Sequence, residues 1–206
     1  MKVTALVEIT KAKYKVFIDG EFAFVLYRGE LRQLKVALNQ DLDETTYNTI
    51  ITEIIPKRAK LRAMHLLEKR PYTEYGMRTK LKENSYSDEI IDLVIDYLKG
   101  YKYIDDVAYA TLYFETYSSA KSVKRMELDL RNKGVKSDAI DKAREHCAEL
   151  GELPDEHRMI RELIKKKGFP KDDATQKDIA KLANYLMGKG FSYDAVNYEL
   201  RHYIED

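Results

Sequence analysis

The sequence predicts a mainly α protein: three tandem three-helix modules in an elongated array, preceded by a small N-terminal region with a β-hairpin. The strongest observation is a repeat. MRTKLKENSYSDEIIDLVIDYL from Met77, MELDLRNKGVKSDAIDKAREHC from Met126 and LANYLMGKGFSYDAVNYELRHY from Leu182 align without gaps. Leu81, Leu130 and Leu186 share one register; so do Ser85, Gly134 and Gly190, then Tyr86, Val135 and Phe191, then Ile91, Ile140 and Val196. The intervals of 49 and 56 residues between the aligned leucines suit helical repeat modules, which bury local apolar faces and present an extended surface. The second observation is a change of texture: residues 1 to about 55 open with segments rich in β-branched and aromatic residues, and the rest of the chain reads as helical.

Taken in order, Val3 to Ile9, Tyr14 to Ile18 and Phe22 to Tyr27 read as strands, with Asp19-Gly20 as a two-residue hairpin turn. Leu31 to Leu38 and Glu44 to Ile55 read as helices, the second capped by Asp43. Pro56 suits the first turn of a new helix, because its missing N–H has no partner to lose there. These boundaries give an N-terminal region over 1–55 and modules over 56–100, 101–149 and 154–206.

In the first module Ala59, Ala63, Leu66 and Leu67 line a helix that stops near Pro71. Thr73 caps the next helix, Ser85 ends it, and Ser87 caps a third whose stripe is Ile90, Ile91, Val94, Ile95 and Leu98. The second module places Tyr109, Ala110, Tyr113, Phe114 and Tyr117 on its first helix and Val123, Met126 and Leu130 on its second. Gly134 is free to take the left-handed conformation that closes a helix. The third has Met159, Ile160, Leu163 and Ile164, with Gly190 in the place of Gly134; its extra length lies in GFPKDDATQ. LGELPDE, from Leu150 to Glu156, reads as a linker able to act as a hinge.

Composition narrows the function. Charged residues make up 34% of 206 residues and apolar ones 44%, which fits a folded, heavily solvated chain. With 36 Lys and Arg against 35 Asp and Glu, the net charge of +1 attracts neither nucleic acid nor membrane as a whole, so any such attraction must come from local segregation. The single cysteine, Cys147, excludes an intramolecular disulfide framework and fits a reducing, cytoplasmic setting. No apolar run approaches the ~18 residues of a membrane span.

Catalytic motifs are missing: there is no phosphate loop, no GxGxxG, HExxH, GxSxG or CxxC. The expectation is therefore no enzyme, no catalytic residue, no metal and no cofactor. His146 beside Cys147 points about 100° away from it on a helix, which favours a packed thiol beside an exposed imidazole. The acidic pairs Asp105-Asp106, Asp155-Glu156 and Asp172-Asp173 stand near helix starts, where capping explains them better than magnesium does.

Cations, by contrast, fall into stripes. Arg58, Arg62, His65 and Lys69 share one side of the first helix of module one. Lys121, Lys124, Arg125 and Arg131 do so on the second helix of module two, and Arg158, Arg161 and Lys165 on the first helix of module three. Any amphipathic helix in a lysine-rich chain puts charge outside, but three such stripes together favour a composite surface for an anionic partner. Leu128 interrupts the second stripe, either as an apolar contact for a partner or as packing against another module. The 16 tyrosines could stack on unpaired bases, although Tyr109 and Tyr113 lie at core spacing.

The run YIDDVAYATLYFETY from Tyr103, with KRMELDLRNKGV from Lys124 and RPYTEYGMRTKL from Arg70, resembles the RecX family of bacterial recombination regulators. Asp105 and Asp106 match the acidic start of that family's central motif, Tyr109 and Ala110 its aromatic-alanine pair, and Arg125, Leu130, Lys133 and Gly134 its R…L..KG run. Ser122 departs from a usual glycine, and Gly76 from a common glutamate. The resemblance implies tandem three-helix modules, no activity as an enzyme, and binding to the RecA filament in contact with its single- or double-stranded DNA. It further implies inhibition of filament growth, ATP hydrolysis, strand exchange and co-protease activity. Weak direct DNA binding, a monomeric state and no membrane association complete the expectation. The rivals are a tandem helical protein that binds nucleic acid without RecA, and a metal-dependent nuclease using the acidic pairs.

Overall fold

The computed structural model describes residues 1–170 and 174–205. It is mainly helical, with one small antiparallel sheet at the N-terminus and three-helix bundles after it. The chain divides into two compact units, Met1–Ile104 and Asp105–Asp206.

In the first unit β1 (Val3–Thr10), β2 (Lys13–Ile18) and β3 (Glu21–Tyr27) form a meander in the order β1-β2-β3. Asp19 and Gly20 both have positive φ, 49° and 93°, which is the turn geometry that matches strand twist in a two-residue hairpin. Lys2 and Gly20 fasten the turn to β1, through Lys2 N–H on Asp19 Oδ1 at 2.9 Å and Gly20 N–H on Thr4 Oγ1 at 3.0 Å.

Helix α1 (Arg28–Gln33) is shorter than the Leu31–Leu38 expectation. Lys35 turns into the left-handed region at φ 54°, and Val36 donates back to Leu31 O at 2.9 Å, so the helix closes before Leu38. Helix α2 (Glu44–Thr49) is capped by Asp43, which accepts from Thr46 N–H at 2.8 Å. It does not stop before Pro56. A π-helical segment, Ile50–Ile54, carries it directly into α3 (Ile55–Leu67). Pro56 cannot donate to the carbonyl four residues back, and the wider turn, in which Ile55 N–H reaches Ile50 O, accommodates that loss without breaking the rod.

Helices α4 (Glu74–Glu83) and α5 (Asp88–Gly100) complete the first bundle. Thr73 caps α4 through Gly76 N–H; Ser87 stands at the start of α5, but its side chain makes no capping bond. A single apolar cluster joins Val16, Phe24 and Leu26 of the sheet to Ala59, Leu81 and Ile95 of the bundle. The N-terminal strands and the first bundle thus share one core.

The second unit holds two bundles, each with its own apolar cluster. The first comprises α6 (Asp106–Tyr117), α7 (Val123–Asn132) and α8 (Ser137–Glu149), around Phe114, Met126, Leu130 and Ile140. The second comprises α9 (Glu156–Lys166), α10 (Gln176–Gly188) and α11 (Tyr193–Glu205), around Ile160, Leu186 and Val196. Tyr117, expected on the apolar stripe, lies exposed at its edge. Cys147 is buried, and burial pushes its thiol above the usual range, while His146 faces solvent.

The three bundles close their middle helix identically. Ser85, Gly134 and Gly190 have φ of 63°, 80° and 95°. The following residue donates back five positions in each case: Tyr86 to Leu81 at 3.4 Å, Val135 to Leu130 at 3.1 Å and Phe191 to Leu186 at 3.4 Å. This is the Schellman closure, and all three leucines that accept are fully buried. At Gly190 a Cβ would also come within 2.5 Å of Ser122 Oγ. Gly190→Ala should therefore destabilise the protein by about 2 kcal/mol or more, since left-handed strain and a clash act together. Ser85→Gly should stabilise it by up to about 1 kcal/mol. Urea titrations of both variants against the parent protein check the opposite signs.

Candidate functional site

The cationic stripes are only partly exposed. On α3, Arg58 turns inward: it donates to Glu30 Oε2 at 2.7 Å and to Val25 O at 2.6 Å, and its guanidinium lies 5.1 Å from the Tyr27 ring and 6.0 Å from that of Tyr86. Burial pushes the Tyr86 phenol above its usual range. Arg58 thus ties the sheet, α1 and the first bundle together and leaves the predicted exposed stripe. Arg62 is half-buried, with its Nε shielded and unpaired among the described residues. His65 sits beside Glu68, and Lys69 is exposed beyond the end of the helix. A helical projection could not show that this face meets the sheet.

On the second bundle Lys121 precedes α7 instead of lying on it. Its Nζ donates to Asp129 Oδ2 and to Tyr113 Oη, each at 2.7 Å, and lies 4.3 Å from the Tyr117 ring. Burial works against the ammonium, yet these hydrogen bonds hold it above the usual lysine range. The same Lys121 bond, assisted by the Tyr113 hydroxyl, holds the Asp129 carboxyl below the usual carboxylate range. Arg125 reaches Asp129 Oδ1 at 3.2 Å and Arg131 reaches Glu127 at 3.2 Å, both guanidiniums half-exposed. Lys124 is exposed, and Leu128 is 45% exposed on the same face.

On α9, Arg158 pairs with Glu162 and Lys165 is exposed. Arg161 donates to Glu199 Oε1 at 2.8 Å, where His157 Nδ1 also lies at 2.8 Å. Glu199 is 3% exposed, so Arg161 is partly committed to neutralising a buried carboxylate.

Within the second unit, the start of α7 with the turn before it, α9 and α10 enclose a cleft of about 820 Å³. It brings the predicted Lys121 and Arg125 together with Lys166 and Lys189, which the helical projection missed. Ser122, buried to 1%, fixes one wall. Its hydroxyl donates to Lys189 O at 3.0 Å and accepts from Arg125 N–H at 3.3 Å, while Glu156 accepts from Val123 N–H at 2.9 Å. The 150–156 linker is held down as well: Leu153 packs on the second bundle's core and Glu152 N–H donates to Cys147 O. These bonds oppose its expected action as a free hinge. Lys189 sits beside the left-handed Gly190, and that register was the one sequence signal able to place it.

The acidic pairs behave as caps. Asp105 accepts from Val107 and Ala108 N–H at 2.9 and 3.0 Å, and Asp155 from Arg158 N–H at 2.9 Å; Asp172-Asp173 lies outside the described residues. Among the described residues no helix is long and apolar enough to cross a membrane.

The architecture is that of a tandem three-helix-domain protein whose exposed features are charged helix faces and a cationic cleft. Residues 59–98 match the family model described as RecX, first three-helix domain, and residues 155–200 match the one for RecX, third three-helix domain. The regulatory protein RecX of Clostridium acetobutylicum is 30% identical over 95% of this chain and 92% of its own length. That of Caldanaerobacter subterraneus subsp. tengcongensis is 29% identical over 95% and 96%. A crystal structure of regulatory protein RecX superposes with a TM-score of 0.62 at 25% identity, covering 97% of this chain and 98% of that one. The RecX structure from Lactobacillus salivarius, at 20% identity and a TM-score of 0.61 over 72% of this chain and 96% of its own, has the same fold. The chain belongs to the RecX family of regulatory proteins.

Asp129 sets an acid limb for stability. Its folded pKa lies below the unfolded value of about 3.9, so its contribution is complete above that value and disappears as pH falls through the folded one. Asp129→Asn should lower stability at neutral pH and flatten the dependence between about pH 5 and pH 2. Urea midpoints across that range test both effects.

Proposed function

We propose that this protein is a non-enzymatic negative regulator of the RecA recombinase. It binds the RecA–DNA filament and inhibits filament growth, ATP hydrolysis, strand exchange and co-protease activity. The observation that carries this reading is relatedness to RecX proteins along nearly the whole chain. The exposed groups on α7 (Lys124, Arg125, Leu128, Arg131) and on α9 (Arg158, Lys165) support it, because weak contacts on linked modules gain from effective concentration when the target repeats. A filament offers repeated sites and a lone RecA subunit does not, so affinity for assembled RecA exceeds affinity for free RecA.

RecA's DNA-dependent ATP hydrolysis, followed while this protein is titrated in, is the direct test. Inhibition is expected, and full activity at saturating protein would refute the reading. Changing Lys124, Arg131, Arg158 and Lys165 together to Ala should weaken filament binding and flatten its salt dependence between about 50 and 200 mM.

A second reading, direct binding of single-stranded nucleic acid without RecA, is favoured by one surface feature of the first unit. Tyr101 and Tyr103 are 65% and 47% exposed and stack at 6.0 Å; Tyr97 lies 4.8 Å from Tyr101 and carries Lys60 Nζ 4.5 Å above its ring. Aromatic rings flanked by ammonium groups are a platform for unpaired bases, worth about 1–3 kcal/mol per stacked base. Tyr101→Ala should therefore weaken binding to labelled oligothymidylate at least about fivefold if this platform is used, as read by fluorescence anisotropy in the absence of RecA.

A further inference from the structure

The cleft of the second unit has a charge balance unlike that of the chain. Lys121, Arg125, Lys166 and Lys189 line it against one carboxylate, Glu162, whereas the whole sequence is balanced to within one charge. Not all four cations are equally available. Lys121 is held by Asp129 and Tyr113 and contributes a fixed field. The Arg125 guanidinium is half-exposed. Lys166 and Lys189 are exposed and have no carboxylate partner among the described residues. The cleft's apolar wall is the half-buried Leu163 with the narrow exposed edges of Met159 and Phe191. We infer that this cleft receives an acidic polypeptide segment bearing a bulky apolar side chain, presented by the filament protein, which rests on the RecA reading above and gives it a point of contact.

Both halves of that chemistry are needed. Carboxylates meet the ammonium groups and the Arg125 fork, and an aliphatic or aromatic side chain covers the apolar wall. A nucleic-acid strand satisfies only the first half. Tyr185 is the tyrosine of the cleft, and its ring already has Lys167 Nζ at 4.4 Å and Lys189 Nζ at 5.4 Å, so it is not open for a base to stack on. Phe191, the other ring, is 4% exposed and likewise gives a base no face. The walls are also fixed before binding: the Ser122–Lys189 and Val123–Glu156 hydrogen bonds hold the two bundles at the cleft, so a segment entering it does not have to order them.

The test uses the full chain and purified RecA filaments on single-stranded DNA. Lys166→Glu/Lys189→Glu reverses the two charges that have no carboxylate partner among the described residues, and Lys136→Glu/Lys142→Glu makes the same net change at exposed positions outside the cleft. Circular dichroism confirms that both variants fold. The cleft variant should need about tenfold more protein for half-inhibition of ATP hydrolysis, and the control less than about twofold more. Oligothymidylate binding by the cleft variant should stay at the parent level. A second measurement does not depend on those variants: p-benzoylphenylalanine in place of the exposed Asn184 should crosslink, on illumination, to a RecA stretch of net negative charge identified by mass spectrometry. Parent-level inhibition by the cleft variant overturns the inference, as does a crosslink to DNA or to a RecA stretch without acidic residues. If the unaltered protein neither binds nor inhibits filaments, the RecA reading fails and the docking assignment falls with it; if only the cleft variant and the crosslink disagree, the RecA reading stands alone.

Discussion

One backbone constraint organises this protein: the middle helix of every bundle must end on a residue in the left-handed conformation. Ser85, Gly134 and Gly190 all do so. Because the closing bond runs back to Leu81, Leu130 or Leu186, the reversal also decides what the chain packs next. Tyr86, Val135 or Phe191 is set against that leucine, and the third helix then begins with its apolar face, at Ile91, Ile140 or Val196, directed into the same core. A glycine meets this demand at little steric cost. Ser85 meets it with strain, and it does so in the bundle whose core is enlarged by the sheet and pinned by Arg58. Gly190 carries a second demand, since the Ser122 hydroxyl occupies the space a side chain would need. The same residue thus closes a helix and admits the contact that joins two bundles.

The near-neutral charge acquires meaning from where pairs form. Asp129 gathers Lys121 and Arg125, Glu127 gathers Arg131 and Arg144, and Glu199 gathers Arg161 and His157. Fully exposed ion pairs contribute about 0–1 kcal/mol each, whereas stripping the partners from a carboxylate as buried as Glu199 costs several. Cations in such pairs are partly neutralised toward an approaching anion. The remaining positive surface is narrower than the stripes suggest, and Lys124, Lys165, Lys166 and Lys189 carry much of it.

Those differences define what could be read from the sequence. The hairpin turn, the Asp43, Thr73, Asp105 and Asp155 caps, the three reversals and the helix stripes were legible because each is a local rule acting over a few residues. Pro56 does stand in the first turn of α3, as its missing N–H predicts, but no local rule shows that a π-helical segment carries α2 into that turn without a break. Arg58 misled because periodicity gives the angle between side chains on a helix without saying which angle faces a neighbouring sheet. The cleft was illegible for a different reason. Its walls come from segments that lie 67 residues apart at the Ser122–Lys189 contact, and no repeat or spacing rule connects them. In the sequence Ser122 stands out only as a departure from a glycine in the family pattern, and the structure gives that departure a role: a glycine there could neither cap α7 through a side chain nor reach Lys189.

That role bears on how a chain of small bundles can hold a charged site at all. A bundle of about 45 residues buries too little surface to fix long surface side chains unaided. Joining two bundles through Ser122 and Glu156 places the backbones of Arg125 and Lys189 on opposite sides of one hydroxyl, so the points from which the two side chains leave are set by hydrogen-bonded atoms. Cations positioned in this way lose less entropy when a carboxylate arrives than cations scattered on independent helices. The joint between bundles is therefore where selectivity for an anionic partner is expected to concentrate, whereas any attraction from the exposed cations of α7 and α9 would be longer-ranged and screened by salt.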